Sequence, residues 1–156
     1  MQNRISSFPA LAIPGVIAGS IGAVLIDIYL ILTLAVAGHM TTVTGLYQFV
    51  ASGLLGKAAY GNPGAVMLGV AVHFAVGIAW GIGYAYVAAR TPQVRQRPAI
   101  SGVVFGLLVM VAMQLVEVAA GIYTLPNTLL FFNGVVAHVA CFGLPVAYIV
   151  RSRLPA

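Results

Sequence analysis

Four ionisable side chains lie inside apolar stretches of the sequence and are the first candidates for chemistry. Asp27 and Glu117 are the only acidic residues among the 156, and His73 and His138 are two of the three histidines. A charge in the middle of a bilayer costs about 2.5 kcal/mol or more, so such groups normally face other helices or a watery cavity. Because carboxylates and imidazoles exchange protons and bind metals, these four residues define the candidate site.

The four residues lie at similar depths if each apolar stretch is a helix. Counted at ~1.5 Å per residue from the end where the arginines cluster, they lie roughly 20 to 27 Å along their helices, in the outer half of a bundle. Two amides accompany them, because Gln114 is about one turn from Glu117 and Asn133 precedes His138 in the last helix. The predicted buried polar cluster therefore consists of Asp27, His73, Gln114, Glu117, Asn133 and His138.

Two interpretations of this cluster need no cofactor. In the first, the polar side chains hydrogen-bond to one another and hold the helices in register, because lipid offers them no partners. In the second, carboxylates and histidines at one depth form a path for protons or another ion that opens toward the outer face. The sequence leaves both interpretations open.

Two further interpretations involve a bound group. His73 and His138 could be the axial ligands of one haem b if their helices face each other. Alternatively, both histidines could hold a transition metal together with Glu117, Asp27 or both. The sequence contains no close ligand pair such as His-x-x-x-His. We therefore expect no cofactor, with haem b and a transition metal as the alternatives.

Motifs of the common enzyme classes are missing from the sequence. It has no GxSxG nucleophile elbow, no P-loop, no dinucleotide-binding fingerprint and no HExxH zinc motif. We expect a non-enzymatic protein, either an accessory subunit of a larger assembly or a small transporter or channel. The alternative is a haem b electron-transfer protein.

The composition predicts that lipid is the solvent of these elements. Hydrophobic residues make up 62% of the chain and charged residues 6%, against about a quarter charged in an ordinary soluble domain. Four apolar segments each reach the ~20 residues that cross a bilayer. They lie at residues 11–38, 64–89, 99–122 and 129–150 and predict an all-α, four-helix transmembrane bundle as a single domain over residues 1–156.

The connection between the first two segments has a helical pattern of its own. Leu46, Phe49 and Val50 recur at helical spacing, whereas Gln48 and Lys57 take other positions. This pattern predicts a short helix over residues 44–57 that lies in the outer interface or re-enters it, since it is too short to cross. In the ion-path interpretation this helix is a lid over the cluster.

The basic residues predict the orientation. All but one of the seven lie on one side of the predicted bundle, which by the positive-inside rule is cytoplasmic and carries both termini. The net charge of +5 is therefore mainly a topology signal, and we expect no nucleic-acid partner. The residues on that side are Arg4, Arg90, Arg95, Arg97, Arg151 and Arg153, and Lys57 is alone on the other.

Small residues recur at every fourth position of the predicted helices. Glycines at such spacing let helix backbones approach closely, and Asp27 and His73 lie on the same stripes, so both should point toward neighbouring helices. The Gly15–Gly19 and Gly77–Gly81 faces could equally pack a second copy or another subunit. We therefore expect a homo-oligomer or a subunit of a larger membrane complex.

Three stretches resemble a group of small bacterial four-helix membrane proteins known mainly by sequence. They are the segment YQFVASGLLG at Tyr47–Gly56, the pair His73-Phe74, and NGVVAH at Asn133–His138 continuing into Gly143-Leu144-Pro145. The second half is also similar, more distantly, to YagU-type inner-membrane proteins. The resemblance implies a bacterial inner-membrane location and places His73 and His138 at the positions of the group's motifs.

Overall fold

The computed structural model describes residues 8–36, 43–122 and 128–154, and every long element in these ranges is a helix. A single turn of 3-10 helix, Gly56–Ala59, follows the second helix, and a π-helical segment, Ala137–Gly143, joins the last two. The helices are α1 (Phe8–Val36), α2 (Val43–Leu55), α3 (Pro63–Arg90), α4 (Pro92–Gln96), α5 (Pro98–Ala119), α6 (Thr128–Val136) and α7 (Leu144–Arg153).

Four of these elements are long and apolar enough to cross a membrane. They are α1 over Pro9–Thr33, α3, α5, and the continuous run of α6, the π segment and α7 over Thr128–Arg153. The four predicted spans are thus confirmed as long apolar helices, although their ends differ by up to five residues from those predicted. Pro63 and Pro98 begin α3 and α5 one residue before the predicted starts, because proline suits the first turn of a helix.

Glycines let α1 and α3 pack backbone against backbone along their length. A side chain at Gly15 would meet the backbone of Gly81 and Ile82, and one at Gly19 would overlap the Gly77 carbonyl. From the sequence, these two faces were candidates for packing against a second copy or another subunit. In the structure they pack against each other within one chain. The predicted oligomer would therefore need another surface.

The second close pair joins α5 to the last span. Gly102 and Gly106 on α5 lie against Gly143 and its neighbours, again with room only for hydrogen at these positions. The π segment contacts α5 at this point, and the Leu144 amide donates to the Val139 carbonyl, five residues back. Pro145 follows directly and has no amide proton to donate to the preceding turn of helix. The wider π turn before it accommodates this missing hydrogen bond.

Between α3 and α5 the packing changes along the bundle. Toward the end that carries Arg90 and Arg153, which we call the basic end, aromatic side chains fill the space between the two helices. The Phe105 ring lies 4.8 Å from the Tyr84 ring and 6.1 Å from the Trp80 ring. Tyr84 Oη is 2.7 Å from Ser101 Oγ, which ties α3 to α5. Away from the basic end, residues of both helices border a gap between them.

The short helix α2 lies across this gap and packs on α3. Its Tyr47 backbone is so close to Gly69 that a Cβ there would overlap the Tyr47 carbonyl oxygen. Gln48 Nε2 donates to the Asn62 carbonyl at 3.3 Å, which fixes α2 to the start of α3. Leu46 and the small residues Ala51 and Ser52 are buried, so α2 is part of the bundle's core.

Candidate functional site

Asp27 and His73 form a buried pair between α1 and α3. Asp27 is 6% exposed, and its Oδ1 lies 3.0 Å from Nε2 of His73. The same Nε2 lies 3.3 Å from the Ala23 carbonyl, in a direction that suits a hydrogen bond. Oδ1 therefore lies close to the ring nitrogen while lacking an aligned hydrogen bond of its own.

The second oxygen of Asp27 is bound by a residue of α2. Tyr47 Oη donates to Asp27 Oδ2 at 2.9 Å, and the Tyr47 ring lies edge-on to the His73 ring at 6.3 Å. Burial, followed by the hydrogen bond to Asp27 and its charge, raises the pKa of Tyr47 to about 12. The phenol therefore keeps its proton, and donates it to Asp27, over the whole physiological pH range.

A cavity of about 310 Å³ occupies the gap between α3 and α5. Its wall is almost entirely apolar, and the polar side chains on it are His73, Glu117 and His138. Helix α2 covers the cavity with five residues, Leu46, Phe49, Val50, Gly53 and Leu54. Trp80 and Phe142 border it on the side of the aromatic cluster. Asp27 is not on the wall and lies behind His73.

His138 is held in a defined orientation by its own helix. Its Nδ1 lies 2.9 Å from the Gly134 carbonyl, one turn earlier. A carbonyl can only accept, so Nδ1 carries the proton and Nε2 of the neutral ring keeps its lone pair. A Cβ at Gly106 would meet the His138 carbonyl and Val139 Cα within 2.7 Å, so the backbone around His138 is pressed against α5.

Glu117 borders the cavity from α5, near the end of that helix. The described part of the chain shows no hydrogen bond or ion pair to its carboxyl group. Its neighbours in the predicted cluster are placed elsewhere, because Gln114 and Asn133 are half-buried but do not line the cavity. The predicted cluster of six thus separates into the Asp27–His73 pair, of which His73 borders the cavity, two further polar residues on the same cavity, Glu117 and His138, and two amides outside it.

The bound-group interpretations can be compared with this geometry. Among the described residues, no set of three or more His, Cys, Asp and Glu side chains is arranged to hold a metal ion. For haem, His138 offers a free Nε2, whereas Nε2 of His73 is engaged with Asp27 and Ala23. Ligation through both Nε2 atoms would require His73 to leave its partners.

Two residues of the site were not among those predicted from the sequence. Tyr47 is the hydrogen-bond donor to Asp27, and Trp80 borders the cavity. The available signal for Tyr47 was its place in the helix that covers the cluster, since a polar tip there must point either to water or into the bundle.

Comparison with known proteins adds no assignment to this geometry. No family model, no curated protein and no solved structure matches the chain.

Proposed function

We propose that this chain is a small, non-enzymatic integral membrane protein that binds a small molecule in the cavity between α3 and α5, as a transporter or as the ligand-binding subunit of a membrane assembly. The observation that carries the proposal is the cavity itself, with His73, Glu117 and His138 on an otherwise apolar wall. Ligand sites are typically concave, mostly apolar and about 300–1,000 Å³, with a few converging polar groups. The cavity lies within this range.

The location of the site follows from the predicted orientation. If the basic end is cytoplasmic, as the positive-inside rule expects, the cavity opens in the outer half of the inner membrane and α2 covers it from outside. Asp27 lies behind the wall, where it holds His73 in a fixed position and provides a nearby proton acceptor. A bound molecule would therefore meet a preorganised imidazole and not a freely rotating one.

Native mass spectrometry of the purified protein tests the proposal. We expect a small molecule to remain bound to the wild-type protein. Met113→Trp, which fills the cavity from α5, should lose it. Leu115→Trp is the matched control, because Leu115 is 64% exposed on the lipid-facing side of the same helix and should retain it. Identical adduct patterns in the three proteins, each monodisperse on gel filtration, would contradict the proposal.

A second candidate is haem b, favoured by one observation. The Nδ1–Gly134 hydrogen bond of His138 leaves Nε2 free, which is the arrangement a histidine needs to ligate iron. The absorption spectrum of protein made with adequate haem supply tests this function. A Soret band, with an α band that appears on reduction and is lost in His138→Ala, would support it. A flat visible spectrum would rule it out.

A further inference from the structure

The wall of the cavity restricts the ligand to a lipophilic molecule. Leu54 of α2 and Val116 of α5 both border it, and they are 67% and 47% exposed. A ligand in the cavity therefore contacts apolar side chains over most of its surface.

The charges on the wall restrict the ligand further. Among the described residues no lysine or arginine lines the cavity, and Glu117 is the one acidic residue on its wall. A phosphate or a fatty-acid carboxylate would have no cation to pair with there and would face Glu117, at a cost that an apolar surrounding increases. The wall therefore disfavours an anionic head group.

The tautomer of His138 specifies what that head group must offer. Because Nδ1 gives its proton to the Gly134 carbonyl at 2.9 Å, Nε2 of the neutral ring is an acceptor. It can accept a hydrogen bond from a hydroxyl of the ligand, and Glu117 offers a second polar group on the same wall. Phe49, Trp80 and Phe142 also border the cavity, and aromatic side chains favour a flat ring against them.

We propose that the cavity binds a neutral lipophilic phenol, with the head-group chemistry of a reduced quinone, which donates a hydroxyl hydrogen bond to His138 Nε2. This inference rests on the proposed function and names the ligand class of that same site. Binding alone is proposed, without electron transfer.

Trp80 provides a built-in reporter for the test, since it borders the cavity and is the only tryptophan in the chain. The probes are 2-bromo-4-heptylphenol and its methyl ether, because bromine quenches tryptophan on contact and the ether lacks only the donor proton. We expect saturable quenching by the phenol, with half-saturation about tenfold below that of the ether, the value of one hydrogen bond. His138→Ala should remove the difference. Gln114→Ala, on α5 but off the wall, should preserve it.

Other outcomes separate this inference from the function on which it rests. If both probes quench equally and His138→Ala changes neither, the cavity binds lipophilic molecules without recognising a hydroxyl group. The proposed ligand class would then be wrong, whereas the binding function would stand. If neither probe quenches saturably, the inference is also wrong. The binding function then depends on native mass spectrometry, where a retained molecule of another class would uphold it.

Discussion

At the scale of single residues, the position of Asp27 depends on side chains from two other helices. A carboxyl group taken out of water is costly unless it is hydrogen-bonded and paired. Tyr47 supplies the hydrogen bond at 2.9 Å from α2, and His73 supplies the pairing group at 3.0 Å from α3. One buried acid thereby fixes α2 and α3 relative to α1. Loss of either partner should affect more than one helix contact.

The first prediction concerns the Tyr47–Asp27 hydrogen bond. Tyr47→Phe should lower the free energy of unfolding by about 1 kcal/mol, because measured side-chain hydrogen bonds in membrane proteins average ~0.6 and reach ~1.7 kcal/mol. Reversible unfolding in mixed micelles would measure it. Tyr60→Phe is the matched control, since the Tyr60 hydroxyl has only a 3.4 Å contact to Ser52 Oγ, and its effect should be smaller.

A double-mutant cycle with Asp27→Asn isolates the interaction from the general cost of altering each residue. If Tyr47→Phe destabilises the Asp27→Asn protein as much as the wild type, the two side chains are not coupled. The hydrogen bond would then have no role in holding α2 on the bundle.

The sequence predicted the types of residue in this site better than their pairing. The burial of Asp27 and His73 followed from the cost of charges in lipid, and their facing followed from the glycine stripes. Which acid would meet which histidine depends on the order in which the helices pack, and no local pattern encodes that order. For the same reason Glu117, at a similar depth, is part of the cavity and not of the Asp27 pair.

At the scale of elements, one glycine decides where α2 lies. Gly69 on α3 contacts the Tyr47 backbone directly, so α2 can approach only because Gly69 has no side chain. This contact sets the distance over which Tyr47 reaches Asp27, and it holds α2 as the cover of the cavity. The covering helix is therefore positioned by a backbone contact on α3 as well as by its own apolar face.

The second prediction uses two glycines of the same helix. Gly69→Ala should displace α2, lower the free energy of unfolding by about 1–3 kcal/mol, and abolish the energetic coupling between Tyr47 and Asp27. Gly83→Ala is the control, because a Cβ at Gly83 meets nothing within 4 Å. Alanine is the better helix former by ~1 kcal/mol, so Gly83→Ala should leave stability unchanged or raise it. Equal stabilities of the two variants would contradict the backbone contact.

The elements themselves were largely predictable, and their irregularities were not. Spans and the short second helix followed from hydropathy and periodicity, because a bilayer requires long apolar helices. The π segment Ala137–Gly143 did not, since a single wide turn leaves no signature in a 3.6-residue pattern. A proline such as Pro145 removes one helical hydrogen bond, but whether a kink or a π turn results depends on the packing of Gly143 against α5.

At the scale of the whole molecule, the bundle is asymmetric along its length. One half is filled by aromatic side chains between α3 and α5, with Tyr84 bound to Ser101, and the other half contains the cavity and the polar residues. The arginines lie at the filled half. The aromatic cluster thus fills the half of the bundle at the basic end, and the cavity lies in the other half.

The third prediction tests the orientation that assigns the cavity to the outer half of the membrane. Single cysteines are introduced into a Cys141→Ala background at Ala58, which follows α2, and at Ser152, between the last two arginines, both of which are exposed. By the positive-inside rule, a membrane-impermeant maleimide should label Ala58→Cys in intact spheroplasts and Ser152→Cys only after lysis. Labelling in the reverse pattern would place the cavity in the cytoplasmic leaflet, and α2 would then cover it from the cytoplasm. Because the residues that line the cavity would be unchanged, the phenol-binding inference would survive such a reversal, with the site in the inner leaflet.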